Sequence, residues 1–268
     1  MSGRRKYFRI KIFGERGTGT NFVTQMIHAN FQVEVLLQPD PSSEPGVEKL
    51  KVPGLKAKRQ YEIADYIEDR QHKEGLTTFG GWKHACLTDK VADRLKQGDE
   101  TLFICVLRHP ALWAKSFHRE PFASFLEPAE DLATFLRHPW VARTRDEVPD
   151  LVLDSPAILW RLKTQSYLDQ AEIRPNVVTV RQDDFLRDHE TVLEGLSAYL
   201  ERRDDVWKIV TSYGRQWASN KRDFWTIRRE MPDEPFEAVG AEVTGILRDH
   251  IGDELIRRAG YRLPGDAS

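Results

Sequence analysis

Gly14-Glu15-Arg16-Gly17-Thr18-Gly19-Thr20-Asn21 stands between an alternating run, Tyr7 to Phe13, and the helically spaced set Phe22, Met26, Ile27 and Asn30. Alternation argues a strand and i, i+4 spacing argues a helix, so the octapeptide reads as a strand-to-helix turn. Gly17 and Gly19 let its backbone curl until consecutive N–H groups converge, and the next helix adds its positive end. Thr18, Thr20 and Asn21 supply side-chain donors. Such a turn is suited to cradling a phosphate; the plain alternative is a tight turn in which Thr and Asn are ordinary caps.

Gly14 and Gly19 have the G-x-x-x-x-G spacing of the Walker A loop. Thr20, however, stands where that loop needs lysine, and Asn21 where it needs the Mg²⁺-binding hydroxyl. A standard ATPase is therefore not expected.

Strands are expected at Tyr7 to Phe13, Val33 to Leu37, Thr78 to Lys83, Thr101 to Leu107 and Asn176 to Val180. Helices are expected at Phe22 to Asn30, Asp89 to Leu95, Ala129 to Leu136, Ala157 to Ala171, Glu190 to Leu200 and Val239 to Ile256. The alternation predicts an α/β chain, a central, mainly parallel sheet flanked by helices. Residues 1–268 read as a single domain. Prolines and glycines break every helical window at Pro39 to Gly46 and Val52 to Arg59, so residues 38–60 are expected to be a mobile loop. Arg143 to Pro149 is a second, charged break. Ser155-Pro156 fits a cap and first helical position. Residues 201–268 read as mostly helical.

With 31% charged residues but a net charge of only −2, the chain lacks the bulk positive charge of a general nucleic-acid binder. Anion binding must be local. The two cysteines, Cys86 and Cys105, have no Cys or His companions at metal-ligand spacing and read as buried thiols. Arg4-Arg5-Lys6 precedes an alternating strand and not a signal-peptide core, and no stretch approaches the ~20 apolar residues of a membrane span. A cytoplasmic protein without a membrane span is expected.

A second segment joins a buried strand, Thr101 to Leu107, to a helix opened by Pro110. It places Arg108 at the strand end and Ser116 eight residues later. An arginine fork and a nearby hydroxyl suit a phosphate, although an arginine at a strand end also serves as an ion-pair partner.

With this pair the chain resembles the sulfotransferases that use 3′-phosphoadenosine 5′-phosphosulfate (PAPS). In that family a glycine-rich loop after the first strand holds the 5′-phosphosulfate, and an arginine and a serine eight apart hold the 3′-phosphate. Thr18-Gly19-Thr20 is similar to the family's Ser/Thr-Gly-Thr core, and Arg108 with Ser116 matches its second motif. Val177 to Leu186 resembles the strand and acidic turn that follow. The resemblance covers residue 10 to about 186. It implies a P-loop NTPase-like sulfotransferase fold, with Arg16, Gly17, Thr18, Gly19, Thr20, Asn21, Arg108 and Ser116 binding PAPS or its product PAP (3′-phosphoadenosine 5′-phosphate), and no metal. The acceptor it implies is a small molecule or carbohydrate; its identity and the oligomeric state are not legible.

Many members carry Lys or Arg immediately before the Ser/Thr-Gly-Thr core, where this chain has Gly17. Arg16, one residue earlier, is the candidate for that charge, with pairing to an acid such as Glu15 as the alternative. Lys83-His84 resembles the family's Lys-x-His segment with one residue missing. His84 is the candidate general base and Lys83 the candidate to neutralise the transferred group. Glu15, His109 and His118 are competing bases.

Weaker signals are the pairs Arg202-Arg203, Lys221-Arg222, Arg228-Arg229 and Arg257-Arg258, which as pairs are ordinarily solvated. Trp217, Phe224 and Trp225 are stacking candidates whose commoner fate is core packing. Two rival functions share the strand, loop and helix: a nucleotide or small-molecule kinase with an unusual P-loop, and a non-catalytic nucleotide-binding protein.

Overall fold

The computed structural model describes residues 6–40, 57–121, 129–211 and 224–266. In chain order its first half runs β1 (Arg9–Phe13), α1 (Thr20–Asn30), β2 (Glu34–Val35), α2 (Ala57–Gly75), α3 (Asp89–Arg94), β3 (Thr101–Leu107), α4 (Pro110–Arg119), α5 (Leu132–Arg137) and β4 (Trp140–Val141). It continues with β5 (Val152–Leu153), α6 (Pro156–Ile173), β6 (Val177–Arg181), α7 (Gln182–Arg187), α8 (His189–Ser197), α9 (Phe224–Glu230), α10 (Ala241–Ile251) and α11 (Asp253–Arg258).

Four strands form a parallel sheet in the order β2-β1-β3-β6. Every residue of β3 is buried, because helices cover both faces of a parallel sheet. Leu102, Ile104 and Val106 pack on one face with Phe22 and Met26 of α1 and Leu193 of α8. Phe103, Cys105 and Leu107 pack on the other with Trp113 of α4, Trp160 of α6 and Leu247 of α10. From β1 the chain reaches β2 on one side and β3 on the other. The crevice at the carboxyl ends of β1 and β3 is thus a topological switch point, where ligands of open α/β sheets bind.

Several expectations need correction. Thr78 to Lys83 is not a strand: Gly80 and Gly81 have φ of 73° and 71°, which takes the backbone out of the extended region. Phe79 N–H instead closes the end of α2 by donating to Gly75 O at 2.9 Å. The expected loop at 38–60 overlaps the start of α2 at Ala57, and residues 41–56 lie outside the described residues. α2 escapes a search for apolar periodicity because the side chains it turns inward include Gln71 and His72. The expected final helix is two, α10 and α11, separated by Gly252 at φ 90°. β2 is shorter than expected, and α5 begins only at Leu132, where Asp131 caps Thr134 N–H at 2.8 Å.

The charged break at Arg143 to Pro149 contains a short 3₁₀ turn, Thr144–Asp146, whose Arg145 and Asp146 are buried. Arg145 meets Asp65 at 2.5 Å, Glu68 at 2.9 Å and Asp69 at 2.7 Å, all on α2. Ser155 caps α6 by accepting from Ala157 N–H, with Pro156 at its first position. Cys86 and Cys105 are buried free thiols, and burial pushes the Cys86 thiol up to about 12. No described helix is long and apolar enough to cross a membrane.

Candidate functional site

A cleft of about 780 Å³ opens at the switch point. The turn between β1 and α1 forms its floor, α4 lines one wall through Leu112, Lys115, Ser116 and Arg119, and Ile227 and Met231 line the opposite one. Among the described residues Lys11, Arg16, Lys83, Arg108, Lys115 and Arg119 border it, against two acids, Asp183 and Glu230. A cation-rich cleft in a chain of net charge −2 is electrostatically suited to an anion.

The turn is shaped by close approach. A Cβ at Gly14 would lie 2.7 Å from Thr18 Oγ1 and 2.9 Å from Val106 O, so only glycine lets β1 leave the sheet beside β3. Gly17 and Gly19 sit at φ 82° and 81°. Gly19 is the N-cap of α1, whose first turn carries neither a side-chain cap nor an acid, so its positive end faces the cleft uncompensated. Gly17, Gly19, Thr20 and Asn21 line the cleft. Thr18 does not: its hydroxyl turns inward and donates to Glu15 O at 2.6 Å.

Arg108 meets this turn directly, donating from Nη1 to Gly17 O at 2.6 Å. Ser116 lies near the same turn: a Cβ at Gly17 would fall 3.6 Å from Ser116 Oγ. Trp113 Nε1 donates to Arg16 O at 2.9 Å and locks α4 to the turn. Two motifs nearly a hundred residues apart thereby share one cleft.

Arg16 lines the cleft with its guanidinium over the Trp82 ring at 4.8 Å and 3.5 Å from Glu68. Its acid partner is thus Glu68, while Glu15 Oε1 accepts from the Arg16 backbone N–H. Lys83 Nζ reaches Asn21 Oδ1 at 2.6 Å across the cleft mouth.

His84 borders the cleft, and its Nδ1 lies 2.5 Å from Gly14 O. A carbonyl only accepts, so Nδ1 carries the proton and Nε2 of the neutral ring keeps a lone pair. Burial, then the charges of Lys83 and Arg16, hold the imidazole well below its ordinary range, so it is neutral at pH 7. Trp82 packs edge-on against it, with ring centroids 5.0 Å apart.

The competing bases do not line the cleft. Glu15 is buried in an ion pair with Lys163, which also pairs with Asp146. His109 accepts from Ala111 N–H at 3.2 Å and packs against Phe236 and Tyr261, and burial lowers its pKa to about 3. His118 lies 3.0 Å from Ala129 O and against Phe135.

Among the weaker candidates, Phe224 is core against Phe22 and Trp225 is exposed. Trp217 and Lys221-Arg222 lie outside the described residues. Arg202 stacks on Trp207 at 3.9 Å, Arg203 donates to His28 O, Arg229 reaches Thr226, and Arg257 and Arg258 pair with Asp266 and Glu172.

Sequence reasoning missed Lys11, Lys115, Arg119, Gln182 and Asp183, all in the cleft lining. Lys115 and Arg119 were legible as one helix face with Ser116, being i, i+4. Lys11 lies between two buried isoleucines on a strand paired on both sides, which leaves it no solvent face. It donates to Gly81 O at 2.8 Å, and burial, then Lys83, lower its pKa to about 7. Among the described residues no group of three or more His, Cys, Asp or Glu side chains is placed to hold a metal ion. Comparison of the chain with protein-family models, curated proteins and solved structures finds no match.

Proposed function

We propose that this chain is a sulfotransferase that passes a sulfuryl group from PAPS to a hydroxyl or amine acceptor, on a P-loop-like sulfotransferase fold. The observation that carries the reading is the Arg108 Nη1 bond to Gly17 O, which brings the segment bearing Arg108 and Ser116 beside the glycine turn in one cation-rich cleft. A donor with both a 5′-phosphosulfate and a 3′-phosphate would use both groups of residues, the glycine turn and the Arg108 segment.

In this reading the amides of Gly17, Gly19, Thr20 and Asn21, the positive end of α1 and Arg16 hold the 5′ end. Arg108, Ser116, Lys115 and Arg119 hold the 3′-phosphate. His84 Nε2 takes the proton as the acceptor oxygen bonds to sulfur and the bond from sulfur to the 5′-phosphate oxygen breaks, leaving PAP and the sulfated acceptor. General-base help of this kind contributes about 10²- to 10⁴-fold. Lys83 and the loop donors stabilise charge that builds on the sulfuryl and bridging oxygens, and positioning supplies much of the remainder. A small-molecule or carbohydrate acceptor and a cytoplasmic setting belong to the same proposal.

Titration calorimetry with PAP and with Mg·ATP, followed by labelled-sulfate transfer from PAPS to a panel of alcohols, phenols, amines and sugars, tests it. Tight PAP binding and transfer to a panel member are expected. Tight Mg·ATP binding with indifference to PAP would instead establish the kinase reading, and PAP binding without transfer the non-catalytic one.

A further inference from the structure

Gln182 and Asp183 open α7 at the carboxyl end of β6, and both border the cleft. Both are buried, 4% and 7% exposed, yet Gln182 Oε1 and Asp183 Oδ1 have no hydrogen-bond partner among the described residues. Buried acceptors without a donor are costly, and native proteins keep few of them without a function. The Asp183 carboxylate is also fixed in orientation: its other oxygen, Oδ2, accepts from His109 N–H at 2.8 Å and from Tyr261 O–H at 3.2 Å. Its remaining oxygen is therefore preorganised.

The location names the group it would meet. Gln182 lies against the glycine turn, where a Cβ at Gly19 would fall 2.9 Å from its Cγ and Nε2. Asp183 is bonded to the residue after Arg108 and feels the Arg108 charge. The pair thus adjoins both the turn that faces a 5′ group and the arginine that faces a 3′ group. In a nucleoside 3′,5′-bisphosphate the ribose joins those two groups, and the one hydroxyl it retains is the 2′-hydroxyl.

We infer that Gln182 and Asp183 form a subsite for the ribose 2′-hydroxyl, so that the cleft selects a ribonucleotide over its 2′-deoxy counterpart. This rests on the 3′,5′-bisphosphate reading of the cleft. A hydroxyl both donates and accepts, so it satisfies Asp183 Oδ1 whether the carboxyl is ionised or, as burial favours, carries its proton. The Arg108 charge favours the ionised carboxylate and so opposes the effect of burial.

Calorimetry with PAP and 2′-deoxyadenosine 3′,5′-bisphosphate, on the wild type and on Gln182→Met and Asp183→Ala, decides the matter. The wild type is expected to bind PAP at least about tenfold more tightly than the deoxy ligand. Each variant should narrow that ratio, chiefly by weakening PAP and leaving the deoxy ligand little changed. Gln182→Met, which leaves the bonds of Asp183 to His109 and Tyr261 in place, serves if Asp183→Ala does not fold. Equal wild-type affinities, or variants that weaken both ligands alike, overturn the subsite alone. Failure of both ligands to bind the wild type overturns the bisphosphate reading and the subsite with it.

Discussion

Arg108 Nη1 donates to the carbonyl oxygen of Gly17 at 2.6 Å, and that bond ties the end of β3 to the turn that follows β1. Arg108→Ala should lower PAP affinity by about 100-fold, because it deletes a charge-assisted fork. Arg108→Lys should recover only part of the loss, since a point charge cannot grip phosphate and carbonyl together. Calorimetry reads both, and unchanged affinity in the alanine variant would contradict the placement of the 3′-phosphate.

His84 is held as the Nδ1–H tautomer by Gly14 O, in a pocket where burial, Lys83 and Arg16 disfavour its cation. His84→Gln should cut kcat by about 10²- to 10⁴-fold with little change in PAP affinity. The free imidazole titrates well below 6.5, so kcat/KM should stay flat through pH 6.5 and fall only at lower pH. A pH–rate profile with an acid limb centred near 6.5 would contradict this environment.

Lys163 is fully buried between Glu15 and Asp146. Burial tends to raise both carboxyls; the Lys163 cation overrides this at Asp146 and offsets it only partly at Glu15. Lys163→Met leaves two buried acids without their cation and should destabilise the fold by about 3–5 kcal/mol in urea titrations. Adding Glu15→Gln and Asp146→Asn should return most of that loss. A single variant as stable as the wild type would remove the cluster's structural role.

Lys11 titrates near 7 in the folded chain and near 10.5 when unfolded, with burial the main cause and Lys83 the second. Between those values the unfolded state binds more protons, so this group makes stability rise with pH across that window. Lys11→Met should abolish that rise while preserving apolar packing against Phe13 and Phe79, whose rings lie 5.7 and 5.3 Å from the ammonium. Urea unfolding from pH 7 to 10 checks it; parallel curves for the two proteins would refute the assignment.

Local patterns carried much of the reading. The strand expected at Tyr7 to Phe13 is found from Arg9, the apolar run Thr101 to Leu107 is a strand throughout, and Ser155-Pro156 opens a helix. Thr78 to Lys83 misled because Phe79 and Trp82 are apolar for unrelated reasons: one closes a helix and the other packs against Arg16, Arg145 and His84. α2 was hidden because its inward residues include acids that answer a buried arginine 76 or more positions away.

By itself the sequence determined Gly14 to Asn21 as a glycine-dependent strand-to-helix turn, because glycine spacing and the switch of hydrophobic period are local properties of the backbone. It also marked Arg108 and Ser116 as a pair on one strand-to-helix segment. Only the tertiary structure decided that the pair closes on Gly17, that Glu15 points into the ion pair with Lys163 while His84 keeps Nε2 unprotonated, and that Gln182 and Asp183 border the same cleft. Those relationships depend on which strands lie side by side and on burial, since the direction of a side chain and the cost of its charge are set by neighbours distant along the chain.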